Sequence, residues 1–356
     1  MRRRETWFPW NWVRDRAERK LVAGIRMRRR EFIGLLGGVA AALPLAARAQ
    51  QGGLPRRVGV LLARAESDPV FQARFQAFRT RLQQLGWTDG DNLRIDYRWT
   101  AGIAARFQTA AAELVSLKPA VILADATPSV AALKRETQTI PIVFVNVTDP
   151  VAQGFVASLG YPGGNLTGFA QNEFSLGGKL LGLLKDTAPR VTRVGLIYNP
   201  TTAPYVDGFI RVIEAAAPSF GVTTVRMPVQ SAAEIEGAVR AFVRDAGGAL
   251  MALSDSFVFV HRDRITALAT EYRLPTISDT TTWARGGGLI AYGPDPDDAL
   301  RGAASYVDRI LRGAKASELP VQEPTKYLMS VNLKVAKALG LKIPEAFLLA
   351  VDEVIE

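Results

Sequence analysis

Short apolar runs alternate with amphipathic segments along most of the chain. Residues 57–63 are such a run, and apolar residues at helical spacing follow from Val70 to Leu85. Gly86 then stands where a helix C-cap is expected. The same alternation predicts further strands at 93–99, 120–124 and 140–145, with helices over 104–117 and 128–137 between them. Alternating strands and helices indicate a parallel sheet covered by helices.

The same order of elements returns in the second half of the chain. It predicts strands at 193–198, 223–227, 249–253 and 274–278, separated by helices over 205–217, 232–245 and 261–271. Pro141 and Pro275 occupy matching places before the fourth strand of each half. Two copies of a β-α-β-α-β-α-β unit predict an α/β protein of two doubly wound, Rossmann-like lobes.

Three segments are suited to crossing between the lobes. They are the glycine-rich stretch 160–168, Gly286–Gly288, and the proline-containing stretch 320–325. We therefore predict that lobe 1 comprises 55–165 and 288–318, and lobe 2 comprises 166–287 and 325–356. Two lobes joined by such crossings can close on a ligand by hinge rotation.

Polar loops follow the predicted strands, and in open parallel sheets ligands bind outside the carboxyl ends of the strands. Most of these polar residues are also expected to cap helices, so each has a structural role as well. The candidate ligand-binding residues are Asp68, Thr127, Ser129, Asp149, Asn199, Tyr205, Asp255 and Asp279.

These candidates offer both a place for an anion and a place for a cation. Helix N-termini bind anions through free N–H groups, so we expect Thr127 and Ser129, with nearby backbone N–H groups, to bind a carboxylate. Either Asp255 or Asp279 would bind an ammonium group, and Asp149 and Asn199 would lie at the cleft edge. Such a site predicts a zwitterionic ligand resembling an amino acid.

Four aromatic residues follow strands or begin helices in the second half and could stack on a ligand ring. Packing in the core or support of a hinge explains each of them equally well. They are Tyr198, Tyr205, Phe257 and Trp283.

Composition restricts the chemistry further. Among 356 residues there is no cysteine and one histidine, His261. The lack of cysteine excludes disulfides, thiol nucleophiles, cysteine-ligated zinc and a lipid-modified cysteine, and one histidine excludes multi-histidine metal sites. We predict no metal, no cofactor and no enzymatic activity.

The net charge of +10 is concentrated at the N-terminus. Residues 1–49 contain twelve Lys and Arg and four Asp and Glu, so the rest of the chain carries only +2. This segment has the pattern of a signal peptide, with Arg28–Arg30, an uncharged stretch, and cleavage near Ala49-Gln50. Either twin-arginine or general secretory export fits it, and residues 1–26 are an extended leader or precede the true start at Met27. We expect no nucleic-acid partner.

Several motifs together resemble a known family, the ABC-transporter substrate-binding proteins whose better-known members take up aromatic amino acids. They are Ile140-Pro141-Ile142-Val143-Phe144, Asp149-Pro150-Val151, Pro162-Gly163-Gly164-Asn165-Leu166-Thr167-Gly168, Leu319-Pro320-Val321-Gln322-Glu323-Pro324-Thr325-Lys326, and the stretch 332–340. The resemblance covers 55–356 and implies the type I periplasmic-binding-protein fold and an ABC permease partner. This family often has Gly-Thr-Pro where Ala126-Thr127-Pro128 stands here, which predicts a tighter pocket floor.

The sequence therefore predicts an exported, monomeric solute-binding protein of the periplasm. Its ligand would be a small amino-acid-like molecule, for which the resemblance implies an aromatic amino acid only loosely. Two alternatives stay open at this point: a ligand-sensing module for a membrane receptor, and an exported hydrolase that uses a pair of carboxylates.

Overall fold

Five parallel strands make the first sheet of the computed structural model, which describes residues 54–171 and 173–356. Their order is β2-β1-β3-β4-β5. The strands are β1 (Arg56–Leu62), β2 (Leu93–Trp99), β3 (Val121–Asp125), β4 (Ile142–Val147) and β5 (Leu166–Ala170). The central strands are apolar on both faces because helices cover both sides of the sheet.

The second sheet has seven strands in the order β12-β11-β10-β9-β8-β6-β7, and only the β10–β11 pair is antiparallel. Its strands are β6 (Arg193–Tyr198), β7 (Thr223–Pro228), β8 (Gly248–Ala252), β9 (Thr276–Ser278), β10 (Ile290–Pro294), β11 (Tyr327–Asn332) and β12 (Glu353–Ile355). Apolar clusters again lie on both faces of this sheet.

Eleven α-helices lie in the described part of the chain. In the first half these are α1 (Pro69–Gln84), α2 (Ala104–Ser116), α3 (Thr127–Glu136) and α4 (Leu176–Thr187). The others are α5 (Val206–Ala216), α6 (Ala232–Phe242), α7 (Ser256–Val260), α8 (Arg262–Glu271), α9 (Pro296–Leu311), α10 (Leu333–Ala338) and α11 (Glu345–Leu348). Two short 3₁₀ helices, Ala217–Phe220 and Ala316–Glu318, complete the elements.

Local chemistry explains where the first helix begins and which face it buries. The Asp68 carboxylate accepts hydrogen bonds from the N–H groups of Val70 and Phe71, at 3.0 and 3.1 Å, and Pro69 stands at the first helical position. Phe71 and the three apolar residues that follow at spacings of three or four are buried against the first sheet. The predicted helix is therefore confirmed, with its cap.

The predicted fold class is confirmed, because the β-α-β-α-β-α-β order occurs once in each sheet. Several elements were not predicted, among them β5, α4, α7, α11 and β12. β5 begins within the stretch 160–168 that we assigned wholly to a crossing, α4 follows it, the short helix α7 directly precedes α8, and α11 and β12 lie after α10. The predicted signal peptide, 1–49, lies outside the described residues.

Two of the predicted lobe limits differ from the strand pairing. We placed 166–170 in lobe 2, but β5 pairs with β4 of the first sheet. Conversely, 288–318 was assigned to lobe 1, whereas β10 pairs with β9 and β11 of the second sheet. Both strands extend their sheets before the chain crosses, so the crossings follow β5 and β10. Helix α9, after the second crossing, does pack on α1 and the first sheet.

Glycine permits the close approach of each of these strands. A Cβ atom on Gly168 would lie 2.1 Å from the Phe144 carbonyl oxygen, and one on Gly293 would lie 1.8 Å from that of Asp279. Neither position can hold a side chain without displacing the neighbouring backbone.

None of the helices described here is long and apolar enough to cross a membrane. Within residues 54–171 and 173–356, no group of three or more His, Asp or Glu side chains could hold a metal ion.

Candidate ligand-binding site

The carboxyl ends of the two sheets face each other across a cleft. Gln171, which follows β5, donates a hydrogen bond through Nε2 to the Oγ atom of Ser254, which follows β8, at 3.0 Å. On the other side of the cleft, Arg74 of α1 donates through Nη2 to Thr281 Oγ1, also at 3.0 Å. These contacts join elements of the two lobes across one cleft.

Helix α3 begins in this cleft, and buried hydroxyl groups near its start lack hydrogen-bond partners within the described part of the chain. The hydroxyls of Thr127, Ser129 and Thr148 are buried, and none has a hydrogen-bond partner within the described residues. Nor does any described side chain cap the helix. Buried hydroxyls are almost always hydrogen-bonded, and the first N–H groups of a helix attract anions. Donors thus converge here on a place suited to an oxygen anion.

The turn before α3 carries backbone strain. Ala126 has φ 70° and ψ 157°, a region that residues other than glycine rarely adopt. This is the position where the family resemblance implies glycine. The strain lies in the turn that presents Thr127, directly before the uncapped helix.

Tyr205 approaches the same place from the second sheet. Its hydroxyl donates to the carbonyl oxygen of Ser254 at 2.7 Å. Burial raises the pKa of this phenol, as do the carboxylates of Asp255 and Asp279, while the nearby hydroxyls of Thr148 and Thr127 lower it. The structure therefore brings Tyr205, Thr127 and the two acids close together.

The Asp255 carboxylate is occupied by donors of its own lobe. Its Oδ2 atom accepts from the Asn199 N–H at 2.6 Å, and Oδ1 accepts from the Phe257 N–H at 2.9 Å and from the Thr202 hydroxyl. Burial raises the pKa of Asp255 to about 6, although these hydrogen bonds oppose the shift. Asp255 thus ties the loop after β6 to the start of α7.

The Asp279 carboxylate faces the cavity of the cleft. Oδ2 accepts from the Ser254 hydroxyl and, at 3.3 Å, from Gln171 Nε2 of the first lobe. Asp279 is buried, and it also lines the cavity described below. Of the two acids predicted to bind an ammonium group, Asp279 is the one that lines the cavity.

The remaining polar candidates make local contacts. Asp68 caps α1 and forms an ion pair with Arg262 of the other lobe, at 2.9 Å. Asp149, at φ 40°, accepts from the Ala152 N–H, and the Asn199 side chain accepts from the Thr201 N–H. The side chains of Asp149 and Asn199 therefore stabilise turns at the cleft edge.

The predicted aromatic residues lie mostly in the core. Trp283 is 1% exposed and donates through Nε1 to Thr276 Oγ1 at 2.9 Å. Tyr198 is buried in the apolar cluster of the second sheet, and the Phe257 ring packs against His261. Of the four aromatic residues, only Tyr205 has its functional group in the cleft centre.

A buried ion pair in the first lobe was not predicted from the sequence. Arg64, just after β1, donates through Nε to Asp125 Oδ2 at 3.0 Å. Asn146, near the end of the neighbouring strand β4, donates through Nδ2 to Asp125 Oδ1 at 2.7 Å. The face of the guanidinium stacks on the Phe259 ring of α7, with Cζ 3.9 Å from the ring centroid.

Arg64 lines a small cavity between the lobes. The cavity encloses about 80 Å³, well below the several hundred typical of ligand sites. Its walls include the three aromatic rings of Phe71, Phe169 and Phe259, together with Asn146, Gln171 and Asp279. A ligand of amino-acid size would therefore require the lobes to separate.

The sequence contains only weak evidence that Arg64, Gln171 and Phe71 belong to the site. Arg64 follows a strand, as the predicted candidates do, but it is neither a helix cap nor next to proline. Gln171 was hidden because β5 was not predicted. Phe71 has the spacing of a core helix position, and it does pack on the core while also reaching the cavity.

Comparison with known proteins agrees with this architecture. The chain is 28% identical over 269 residues to a tyrosine-binding protein of Clostridioides difficile strain R20291, covering 75% of this chain and 76% of the relative. A conserved domain protein of Vibrio cholerae has a solved structure that is 29% identical with a TM-score of 0.78, covering 85% of this chain and all of that one.

A domain from Streptococcus pneumoniae in complex with L-Trp shares the fold at 24% identity, with a TM-score of 0.76, over 85% of this chain and all of that one. Residues 60–355 match the family described as ABC transporter substrate binding protein, a family of solute-binding proteins and not of enzymes. The resemblance found in the sequence motifs is thereby confirmed. This chain belongs to the ABC-transporter substrate-binding protein family.

Proposed function

We propose that this protein binds one amino acid between its lobes and delivers it to an ABC permease in the inner membrane. The observation that carries the proposal is the uncapped start of α3, where the hydroxyls of Thr127, Ser129 and Thr148 are buried without partners in the described chain. The C. difficile relative is a tyrosine-binding protein, which supports the same ligand class.

The α3 N-terminus is proposed to bind the ligand carboxylate. Its free N–H groups, the positive end of the helix dipole and the three hydroxyls all favour a negatively charged oxygen. Each charge-assisted hydrogen bond contributes about 1.5–3 kcal/mol. A few such bonds, less the costs of association, suffice for micromolar affinity, or about 8 kcal/mol.

Asp279 is proposed to bind the ligand ammonium group. It lines the cavity, whereas Asp255 does not line it and ties together loops of the second lobe. We therefore assign Asp255 to holding the cleft loops in place. An aromatic amino acid is the favoured subclass, because the rings of Phe71, Phe169 and Phe259 border the same cavity.

The proposal includes export and release into the periplasm as a monomer, after cleavage near Ala49-Gln50. The twin-arginine and general secretory routes remain alternatives for that step. A binding protein of this kind needs two lobes that close on the ligand, and no catalytic group. The predicted hydrolase and receptor-sensor alternatives have no observation in their favour at this site.

Isothermal titration calorimetry of the purified protein against the twenty amino acids and simple sugars tests this function. We expect micromolar binding of at least one amino acid, weakened by Asp279→Ala. If no amino acid produces heat while a sugar does, the proposed ligand class is wrong. Equal affinity of wild type and Asp279→Ala would remove the ammonium assignment alone.

A further inference from the structure

Arg64 holds a hydrogen-bond donor that the protein itself does not use. The residue is 8% exposed, and its Nη1 atom is buried without a hydrogen-bond partner anywhere in residues 54–171 and 173–356. Nε is taken by Asp125, and the flat face of the guanidinium is covered by Phe259. The Arg64 side chain, which carries Nη1, lines the interlobe cavity.

The unpaired Nη1 atom and the buried ion pair of Arg64 both lower the stability of the protein unless a bound ligand compensates for them. Leaving a buried donor without an acceptor lowers stability, and more so when the group is charged. Burying the Arg64–Asp125 pair adds a desolvation cost that well-packed apolar residues would avoid. Both costs arise beside the cleft, where Arg64 follows β1 and Asp125 is the last residue of the adjacent strand β3.

Resting on the proposed function, we infer that Arg64 is a specificity-determining residue that selects amino acids with a hydrogen-bond acceptor oxygen near the end of the side chain. A phenol hydroxyl or a carboxylate carries such an oxygen. An arginine side chain has donors only, so it can bind an acceptor but gains nothing from an indole N–H or a hydrocarbon.

The Asp125 carboxylate sets which acceptors suffice. Because it already neutralises the guanidinium charge, a neutral oxygen is enough and a full negative charge is not required. Asn146 holds Asp125 from the other side at 2.7 Å, so the pair is fixed before a ligand arrives. The Phe259 ring belongs to the other lobe and lies over the Arg64 guanidinium, so closure of the lobes encloses this donor.

The inference is tested with amino acids that differ by the acceptor. Tyrosine and phenylalanine form one matched pair, and aspartate and leucine form another. Calorimetry of the purified protein, expressed from the full-length sequence, measures the affinity ratio within each pair. For a pair that binds, we expect wild type to prefer the acceptor-bearing member by roughly 10- to 100-fold.

The main variant is the double substitution Arg64→Met with Asp125→Asn, which removes the donor without leaving a buried carboxylate unpaired. Its affinity ratio should fall to about one. Arg64→Lys is a second test of the inference. Lysine keeps a cation that can pair with Asp125, but it has no second nitrogen to donate to the ligand, so the affinity ratio should fall in this variant also. Circular dichroism checks that each variant is folded.

Arg262→Met is the matched control. Arg262 also stacks on the Phe259 ring, at 4.5 Å, and is also paired with a buried aspartate, but it does not line the cavity. This variant should weaken all ligands by a similar factor and keep the ratio. A preference for acceptor-bearing ligands that survives loss of Arg64 overturns the inference, as does a tightest ligand that lacks an acceptor.

The two proposals fail in distinguishable ways. If wild type binds no amino acid at all, the proposed function is wrong and the selectivity inferred here falls with it. If wild type binds tyrosine and phenylalanine equally, the amino-acid function stands and only the role of Arg64 is refuted.

Discussion

Arg262 of α8 and Asp68 at the start of α1 form an ion pair between the two lobes, with Nη1 and Oδ2 2.9 Å apart. Both side chains are nearly buried, at 12% and 7% exposure. Asp68 thus has two roles, since its other oxygen caps α1. Because this pair joins the two lobes, separating them would break it, so the pair favours the closed form.

Breaking this pair should favour the open form. In Arg262→Met the Asp68 carboxylate would stay buried without its partner in the closed form, at a cost of about 3 kcal/mol, whereas opening hydrates it. We expect a larger radius of gyration by small-angle X-ray scattering and weaker ligand binding. Arg285→Met, which breaks an exposed pair with Glu353 inside the second lobe, should change neither.

The hydroxyls at the start of α3 should matter for binding and not for folding. Thr127→Ala with Ser129→Ala removes donors that have no partner within the described part of the protein, so stability should change by less than about 1 kcal/mol. Affinity for the amino acid should fall roughly tenfold or more, as measured by calorimetry.

Thr187→Ala supplies the contrast for that double variant. Its buried hydroxyl donates to the carbonyl oxygens of Leu183 and Leu184 near the end of α4, away from the cleft. Replacing it should leave affinity unchanged. A double variant that binds as tightly as wild type would show that α3 does not receive the carboxylate.

Relief of the strained turn should stabilise the protein. Ala126→Gly places glycine at φ 70° and ψ 157°, removing strain of about 1–3 kcal/mol against an entropic cost of about 0.5–1 kcal/mol. The midpoint of denaturant unfolding should rise. Ala132→Gly, inside α3, should lower it by destabilising the helix. A lower midpoint for Ala126→Gly would contradict the strain.

The Asp255 carboxyl should make stability fall with rising pH. Its pKa is about 6 in the folded protein, above its ordinary value of 3.8. Below pH 3.8 both the folded and unfolded states hold the proton. Between pH 4 and 6 the unfolded state loses it first, so folding becomes less favourable by about 3 kcal/mol up to pH 7.

Comparison with Asp255→Asn isolates this contribution. The variant has no titrating group at 255, so the difference in unfolding free energy between it and wild type should shift by about 3 kcal/mol against wild type from pH 4 to pH 7. Urea unfolding at several pH values measures the shift. A difference that is constant with pH would show that the carboxyl keeps its ordinary pKa.

Local patterns were sufficient for most of the fold. The apolar spacing that buries one face of α1 and the cap at Asp68 depend on residues a few positions apart, so the sequence contains them completely. The limits of the lobes did not follow from such patterns. β5 and β10 are short strands beside glycine-rich stretches, and only their pairing with distant neighbours assigns each to a sheet.

The candidate site divides in the same way. By itself the sequence determined the repeated α/β order, the cleft at the carboxyl ends of the strands, and the polar residues that surround it, because strand direction and helix caps are local properties. Only the tertiary structure decided which polar groups are paired. Asp255 is occupied within its lobe, while the hydroxyls of Thr127 and Ser129, and the Nη1 atom of the unpredicted Arg64, have no hydrogen-bond partner within the described residues. Which polar groups find a partner depends on contacts between segments far apart in the chain, and no local pattern records them.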